Sequence, residues 1–245
     1  MGKLKLGILG NGYLADIIVE AGLKGMLDEY ELVGVLGRTR EKTELLAKKG
    51  GCRACSTIDE LLALAPDYVA EAASVQSVKD CGVKILASGA SMIVLSIGAF
   101  ADKEFYGQVK ETAAVHGTRV YIASGAVGGF DVLRTISLMG QAEAGIRTKK
   151  GPASLKGTPL FEERLMEDAQ ESHVFHGNAK EAISLLPTKV NVAVASSLAT
   201  VGPEDTRVDI YSVPGMVGDD HKITSQIEGV KAVVDIYSST SAIAG

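Results

Sequence analysis

The sequence predicts an α/β protein: a doubly wound parallel sheet in the first half, followed by a second, α+β domain. Three observations carry this. Short apolar runs alternate with amphipathic helices up to about residue 122, a glycine-rich turn joins the first run to the first helix, and the rhythm changes after Gly125. Alternation of that kind at these lengths implies parallel strands joined by right-handed crossovers.

In order, Lys5 to Leu9 reads as a strand, Tyr13 to Leu27 as a helix, Leu32 to Leu36 as a strand and Arg40 to Lys49 as a helix. Gly50 to Thr57 holds a short strand, and Thr57 to Ala63 a short helix with Asp59 and Glu60 in its first turn, where acids suit the helix dipole. Tyr68 to Ala72, Met92 to Ile97 and Arg119 to Ile122 are further strands, separated by helices at Val75 to Ala87 and Asp102 to His116.

Beyond Gly125, Phe130 to Leu138 is a helix, and the stretch from Ile146 to Pro159 is expected as a loop. Val174 to His176 leads into a helix at Ala179 to Leu186, which Pro187 stops, and Val190 to Ala199 is a small-residue helix. Arg207 to Val213 and Lys222 to Ile227 alternate like antiparallel strands. The expected domains are 1–124 for dinucleotide binding, 125–229 for substrate and dimerisation, and a segment 230–245 returning toward the first domain. No internal repeat or low-complexity segment occurs.

Composition excludes several classes. Hydrophobic residues make up 46% and charged residues 22%, the balance of a water-exposed globular protein. The net charge of −5, without a basic run and without tryptophan, argues against nucleic acid as a partner. No apolar run spans a membrane, the start lacks a secretory pattern, and Gly2 is followed by Leu6 rather than the hydroxyl residue of a myristoylation signal. A cytoplasmic protein without membrane attachment is expected. Cys52-x-x-Cys55 has neither a second cysteine pair nor a nearby histidine, so no metal is expected.

Gly10, Gly12 and Ala15 form G-x-G-x-x-A between a strand and a helix. The first glycine permits the turn, the second lets backbone approach a pyrophosphate, and the small third residue lets the helix pack on the strand. This Rossmann-type fingerprint assigns cofactor contacts to Gly10, Asn11, Gly12, Tyr13 and Leu14. After the second strand, Gly37 stands where an acid would hold the ribose hydroxyls of NAD, and Arg38, Thr39 and Arg40 follow. An acid repels a 2′-phosphate and a guanidinium grips it, so Arg38 and Thr39 are assigned to NADP, favoured over NAD.

Several blocks resemble the L-aspartate dehydrogenase family. These are V-A-E-A-A-S (69–74), L-S-I-G-A-F-A-D (95–102), S-G-A-V-G-G-F-D (124–131), K-G-P-A-S-L-K-G-T-P (150–159), F-H-G-N-A-K-E-A-I (175–183), V-N-V-A (190–193) and D-D-H-K-I (219–223). The resemblance implies reversible NAD(P)-dependent deamination of L-aspartate to iminosuccinate, which hydrolyses to oxaloacetate and ammonia, and it implies a homodimer. It places the nucleotide-contacting alanine on Ala126, the cofactor-contacting asparagine on Asn191 and the catalytic histidine on His221. Imidazole suits proton transfer because it titrates near neutrality. His221 is expected in a loop suited to face the nicotinamide, with Asp219 or Asp220 orienting the ring or raising its pKa, while His116, His173 and His176 are read as structural.

Three departures from the family pattern bear on the substrate. Lys150-Gly151-Pro152 replaces K-P-P, Pro187-Thr188-Lys189-Val190-Asn191 shifts the lysine of P-K-N-V-N, and Tyr237 to Ser241 replaces N-P-K-T-S before a short end. The cations Lys149, Lys150, Lys189 and Arg207 are candidates for holding the two carboxylates of aspartate. Two alternatives stay open: the same machinery acting on another small amino acid or imine, and a non-catalytic dinucleotide-binding sensor.

Overall fold

The computed structural model describes residues 2–125, 127–187 and 189–239 and divides into two compact units, one through Ala123 and one from Ser124. The first unit runs β1 (Leu4–Leu9), α1 (Tyr13–Leu23), β2 (Tyr30–Leu36), α2 (Arg40–Gly50), β3 (Arg53–Cys55), α3 (Ile58–Leu62), β4 (Tyr68–Glu71), α4 (Val75–Ala87), β5 (Ser91–Val94), α5 (Lys103–His116) and β6 (Val120–Ile122). Its six strands are all parallel, in the order β3-β2-β1-β4-β5-β6, which is the doubly wound sheet expected. Met92 to Ile97 is a shorter strand than expected, because a 3-10 turn takes over at Ile97–Ala101.

Local chemistry fixes the helix ends. Thr57, Ser74 and Asp102 each accept a backbone N–H from three residues on, capping α3, α4 and α5. Helix α2 ends at Gly51 in the left-handed conformation, with Lys48 and Lys49 in its last turn. Ile8, Ala15, Val19, Val35, Leu46 and Ala47 form one core cluster between β1, β2, α1 and α2, so the small residue of the fingerprint does seat α1 on the sheet.

The second unit runs α6 (Phe130–Met139), β7 (Glu143–Lys150), β8 (Ser172–Asn178), α7 (Ala179–Leu185), α8 (Asn191–Ala199), β9 (Arg207–Ser212), β10 (Asp219–Ile227) and β11 (Val230–Ser238). Its sheet has the order β11-β10-β7-β9-β8, antiparallel except for the parallel pair β7 and β9. Helix α6 packs on β10 and β11, and α8 on β7. A reciprocal cap between Asn178 and Glu181 starts α7.

Three expectations are corrected here. Residues 143–150, read partly as loop, form the central strand of the second sheet, whose alternate residues Ile146, Thr148 and Lys150 are buried. Strand β10 begins at Asp219, so His221 lies inside a strand and not in a loop. Strand β8 covers Ser172–Asn178, and β9 and β10 flank β7. Residues 230–238 pair with β10 as the edge strand, so the segment from 230 begins as part of the second sheet. Among the described residues no helix is long and apolar enough to cross a membrane.

Candidate active site

The nucleotide turn belongs to the first unit. Gly10 has φ +133°, and a Cβ there would lie 2.3 Å from the Ala72 carbonyl oxygen, so only glycine fits. A Cβ on Gly12 would meet nothing within 4 Å, leaving open the space a phosphate needs. No side chain caps α1, whose first N–H groups remain available to an anion, and Tyr13 and Leu14 are half-exposed beside them. The residues present fit a dinucleotide.

The side chain of Asn11 is engaged within the protein. Its amide Nδ2 donates to the Thr39 carbonyl and to Thr43 Oγ1, each at 2.9 Å, tying the first turn to the start of α2. A Cβ on Gly37 would sit 2.3 Å from Asn11 Cγ, so the side chain of Asn11 fills the space that an acid after β2 would need. The absence of an acid there is thus a packing requirement. Arg38 is exposed at this edge, whereas Arg40 is engaged with Glu44 and Ser56. The structure brings Gly10 to Leu14 together with Arg38 and Thr39.

Sequence reasoning missed Glu71, fully buried at the end of β4. Its carboxylate accepts the N–H groups of Ala73, Leu95 and Ser96 and the hydroxyl of Ser96. Those bonds pin the loops after β4 and β5 beside Ala72, against which Gly10 packs. The cysteine pair is chemically quiet: burial, with Cys55 nearby, pushes the Cys52 thiol up to about 11, and burial raises Cys55.

In the second unit His221 is 4% exposed, and its Nδ1 lies 3.0 Å from Thr148 Oγ1 on the neighbouring strand. A hydroxyl, not an acid, therefore orients the ring, which corrects the expectation that Asp219 or Asp220 does so, while both acids act on its pKa in the expected upward direction. Asp219 pairs instead with Lys150 at 2.8 Å, and alternation along β10 turns Asp220 to the other face. Burial, helped by the Lys150 ammonium, holds the imidazole down at about 4 although Asp219 and Asp220 oppose the shift. His221 is neutral at neutral pH.

Register places Lys150 beside Ser212 on β9 and Asp219 on β10, on the face that carries Thr148 and His221. Ser212 Oγ is buried without a hydrogen-bond partner among the described residues. This cluster was legible only in part, because I-R-T-K-K hides a buried lysine in a polar run. The other candidate cations are committed elsewhere: Lys149 to Glu171, Lys189 to the Ser154 carbonyl, and Arg207 to Asp209. Asn191 is the first residue of α8, one past the cap position at Val190. Ala126 lies outside the described residues.

Gly151 explains one departure from the family pattern. A Cβ there would lie 2.2 Å from the Met216 carbonyl oxygen, so the turn at 213–218 closes over the position where K-P-P would carry a proline. The Val213 N–H also donates to the Lys150 carbonyl at 2.8 Å.

Comparison with known proteins fits these two units. A family model described as "Aspartate dehydrogenase, C-terminal" matches residues 131–244, and one described as "Homoserine dehydrogenase, NAD binding domain" matches residues 6–123. An L-aspartate dehydrogenase of Methanococcus maripaludis is 35% identical over 222 residues, covering 90% of this chain and 82% of that protein. The chain belongs to the L-aspartate dehydrogenase family. Another L-aspartate dehydrogenase, from Methanosarcina mazei, is 35% identical over 231 residues, covering 92% of this chain and 84% of its own length. The crystal structure of aspartate dehydrogenase from Thermotoga maritima matches with a TM-score of 0.75 at 26% identity, covering 95% of this chain and 88% of that one. As a member of the aspartate dehydrogenase family the chain is an oxidoreductase that uses a nicotinamide dinucleotide.

Proposed function

We propose that this chain is an NAD(P)-dependent L-aspartate dehydrogenase, interconverting L-aspartate with iminosuccinate, and through it with oxaloacetate and ammonia. Family membership supports the reaction, and the buried, neutral imidazole of His221 beside a buried lysine is the observation that carries the site. A nicotinamide dinucleotide held at the Gly10–Leu14 turn would supply the hydride acceptor for oxidation at the substrate α-carbon. His221 accepts the proton lost from the substrate ammonium and passes it to water; in the hydrolytic step it takes the proton of the attacking water and returns it to the departing nitrogen. That role requires Nδ1–H donating to Thr148 Oγ1, which leaves the Nε2 lone pair for the base.

Lys150 is assigned to a substrate carboxylate, since its ammonium offers three donors and Asp219 takes one. Ser212, whose hydroxyl lacks a partner among the described residues, is assigned beside it. A bound carboxylate near His221 offsets the Lys150 charge and strengthens the base when it is needed. Gly10, Gly12, Tyr13 and Leu14 are assigned to the dinucleotide, Arg38 and Thr39 to the 2′-phosphate of NADP, and Ala126 and Asn191 to the nicotinamide half. Asn11 is assigned to the dinucleotide with Gly10 and Gly12, while its side chain shapes the turn. A homodimer is the proposed assembly, checked by a light-scattering mass about twice that of the chain.

A panel of amino acids assayed with NAD and NADP, and oxaloacetate with ammonia in reverse, tests the reading. The highest kcat/KM is expected with aspartate. Turnover of another amino acid with none on aspartate overturns the substrate assignment, and NADH binding as tight as NADPH removes the cofactor preference.

A further inference from the structure

The two histidines read as structural, His173 and His176, come together with Asp209 on the second sheet. Three residues apart on a regular strand, they would point to opposite faces. Strand β8 is irregular, however: His173 pairs with Tyr211, Phe175 with Ile210 and His176 with Asp209, leaving Val174 unpaired. This bulge puts both imidazoles over the alternate residues Asp209 and Tyr211, on the face opposite the buried Val208, Ile210 and Ser212.

We propose that His173, His176 and Asp209 form a site for one first-row divalent transition-metal ion. Asp209 Oδ1 lies 3.0 Å from His173 Nε2 and 2.8 Å from His176 Nδ1, so three donor atoms of the right kind already converge. All three lie within 4.8 Å of one another. Metal–ligand distances of about 2.0–2.2 Å in a tetrahedron put neighbouring donors about 3.3 Å apart, so a small spreading admits the ion. Two imidazoles and one carboxylate suit zinc, nickel or copper rather than magnesium or calcium.

The surroundings are already arranged. The Tyr211 ring stacks on His173 with centroids 4.4 Å apart and planes 10° from parallel, which fixes that ligand. Arg207 approaches Asp209 through Oδ2 at 3.6 Å, leaving Oδ1 to the ion, and the nearby Lys149 charge is balanced by Glu171 at 2.6 Å. The three ligands leave one position for water, and the ion would clip the edge strand β8 to β9.

The test uses the chain without an affinity tag, stripped with a chelator and titrated with zinc by calorimetry at about pH 7.5. Cobalt absorption reports the geometry in parallel. One equivalent is expected, with affinity at least about tenfold weaker in His173→Ala, His176→Ala and Asp209→Asn, unaffected in His116→Ala and His221→Ala, and not competed by magnesium. Both site histidines are exposed, so their variants should keep the parent circular dichroism. No saturable binding, or an unchanged titration in the His173→Ala/His176→Ala double variant, overturns the proposal.

Discussion

At His221 two acids pull the proton on, while burial and one lysine keep it off, and the second influence wins. The acid limb of kcat/KM, which reports the free enzyme, is therefore expected near pH 4 rather than near 6.5. Replacing Lys150 with methionine removes the cation and should move that limb upward; a limb that stays put would separate the lysine from the histidine. His221→Ala is expected to lower turnover roughly 10²-fold or more, and unchanged turnover would take the residue out of the mechanism. Thr148 acts through the ring it holds. Thr148→Val should lower kcat with little change in KM, and Thr148→Ser should restore it, an outcome that simple loss of packing would not produce. The residue type and position of His221 were legible in sequence. Its partner was not, because adjacent acids in D-D-H-K-I suggest a carboxylate until the strand period turns Asp220 away.

Between elements, the turn after β1 and the turn after β2 share one block of space, filled from one side by Asn11 and kept clear on the other by Gly37. Gly37→Asp alone should displace Asn11 and weaken both cofactors. Combined with Asn11→Gly, which empties the space, it should shift the ratio of dissociation constants toward NADH; a ratio unchanged in the double variant would refute the shared-space account. On the second sheet, Gly151→Ala drives a methyl into the Met216 carbonyl and should cost about 1–3 kcal/mol, read from the urea midpoint. The elements of the first unit could be read from the sequence because buried parallel strands are continuous apolar runs bounded by turn residues. Strand β7 could not. Of its buried face only Ile146 is strongly apolar, while Thr148 and Lys150 owe their burial to partners on β9 and β10 that no local pattern reveals. The same limit hid the histidine pair on β8, since a single unpaired residue reverses which side chains share a face.

For the molecule as a whole, the depressed His221 sets a pH dependence of stability. The unfolded chain binds a proton on this group below about 6.5 and the folded chain only near 4, so stability falls as pH drops through that window and is complete above it. The loss amounts to about 3 kcal/mol at most. Urea midpoints at about pH 4.5 and pH 7 should differ less in His221→Gln than in the parent, and an equal difference would assign the effect to other groups. The order of the second sheet also bears on biosynthesis. Strand β7 lies between β9 and β10, whose residues follow it by some sixty or more positions. While the ribosome is still short of residue 207, the middle of that sheet has neither neighbour, and both of its hydrogen-bonding edges stand bare. Nascent chains halted in that interval would invite pairing with foreign strands, so assembly of this half must await nearly all of its translation.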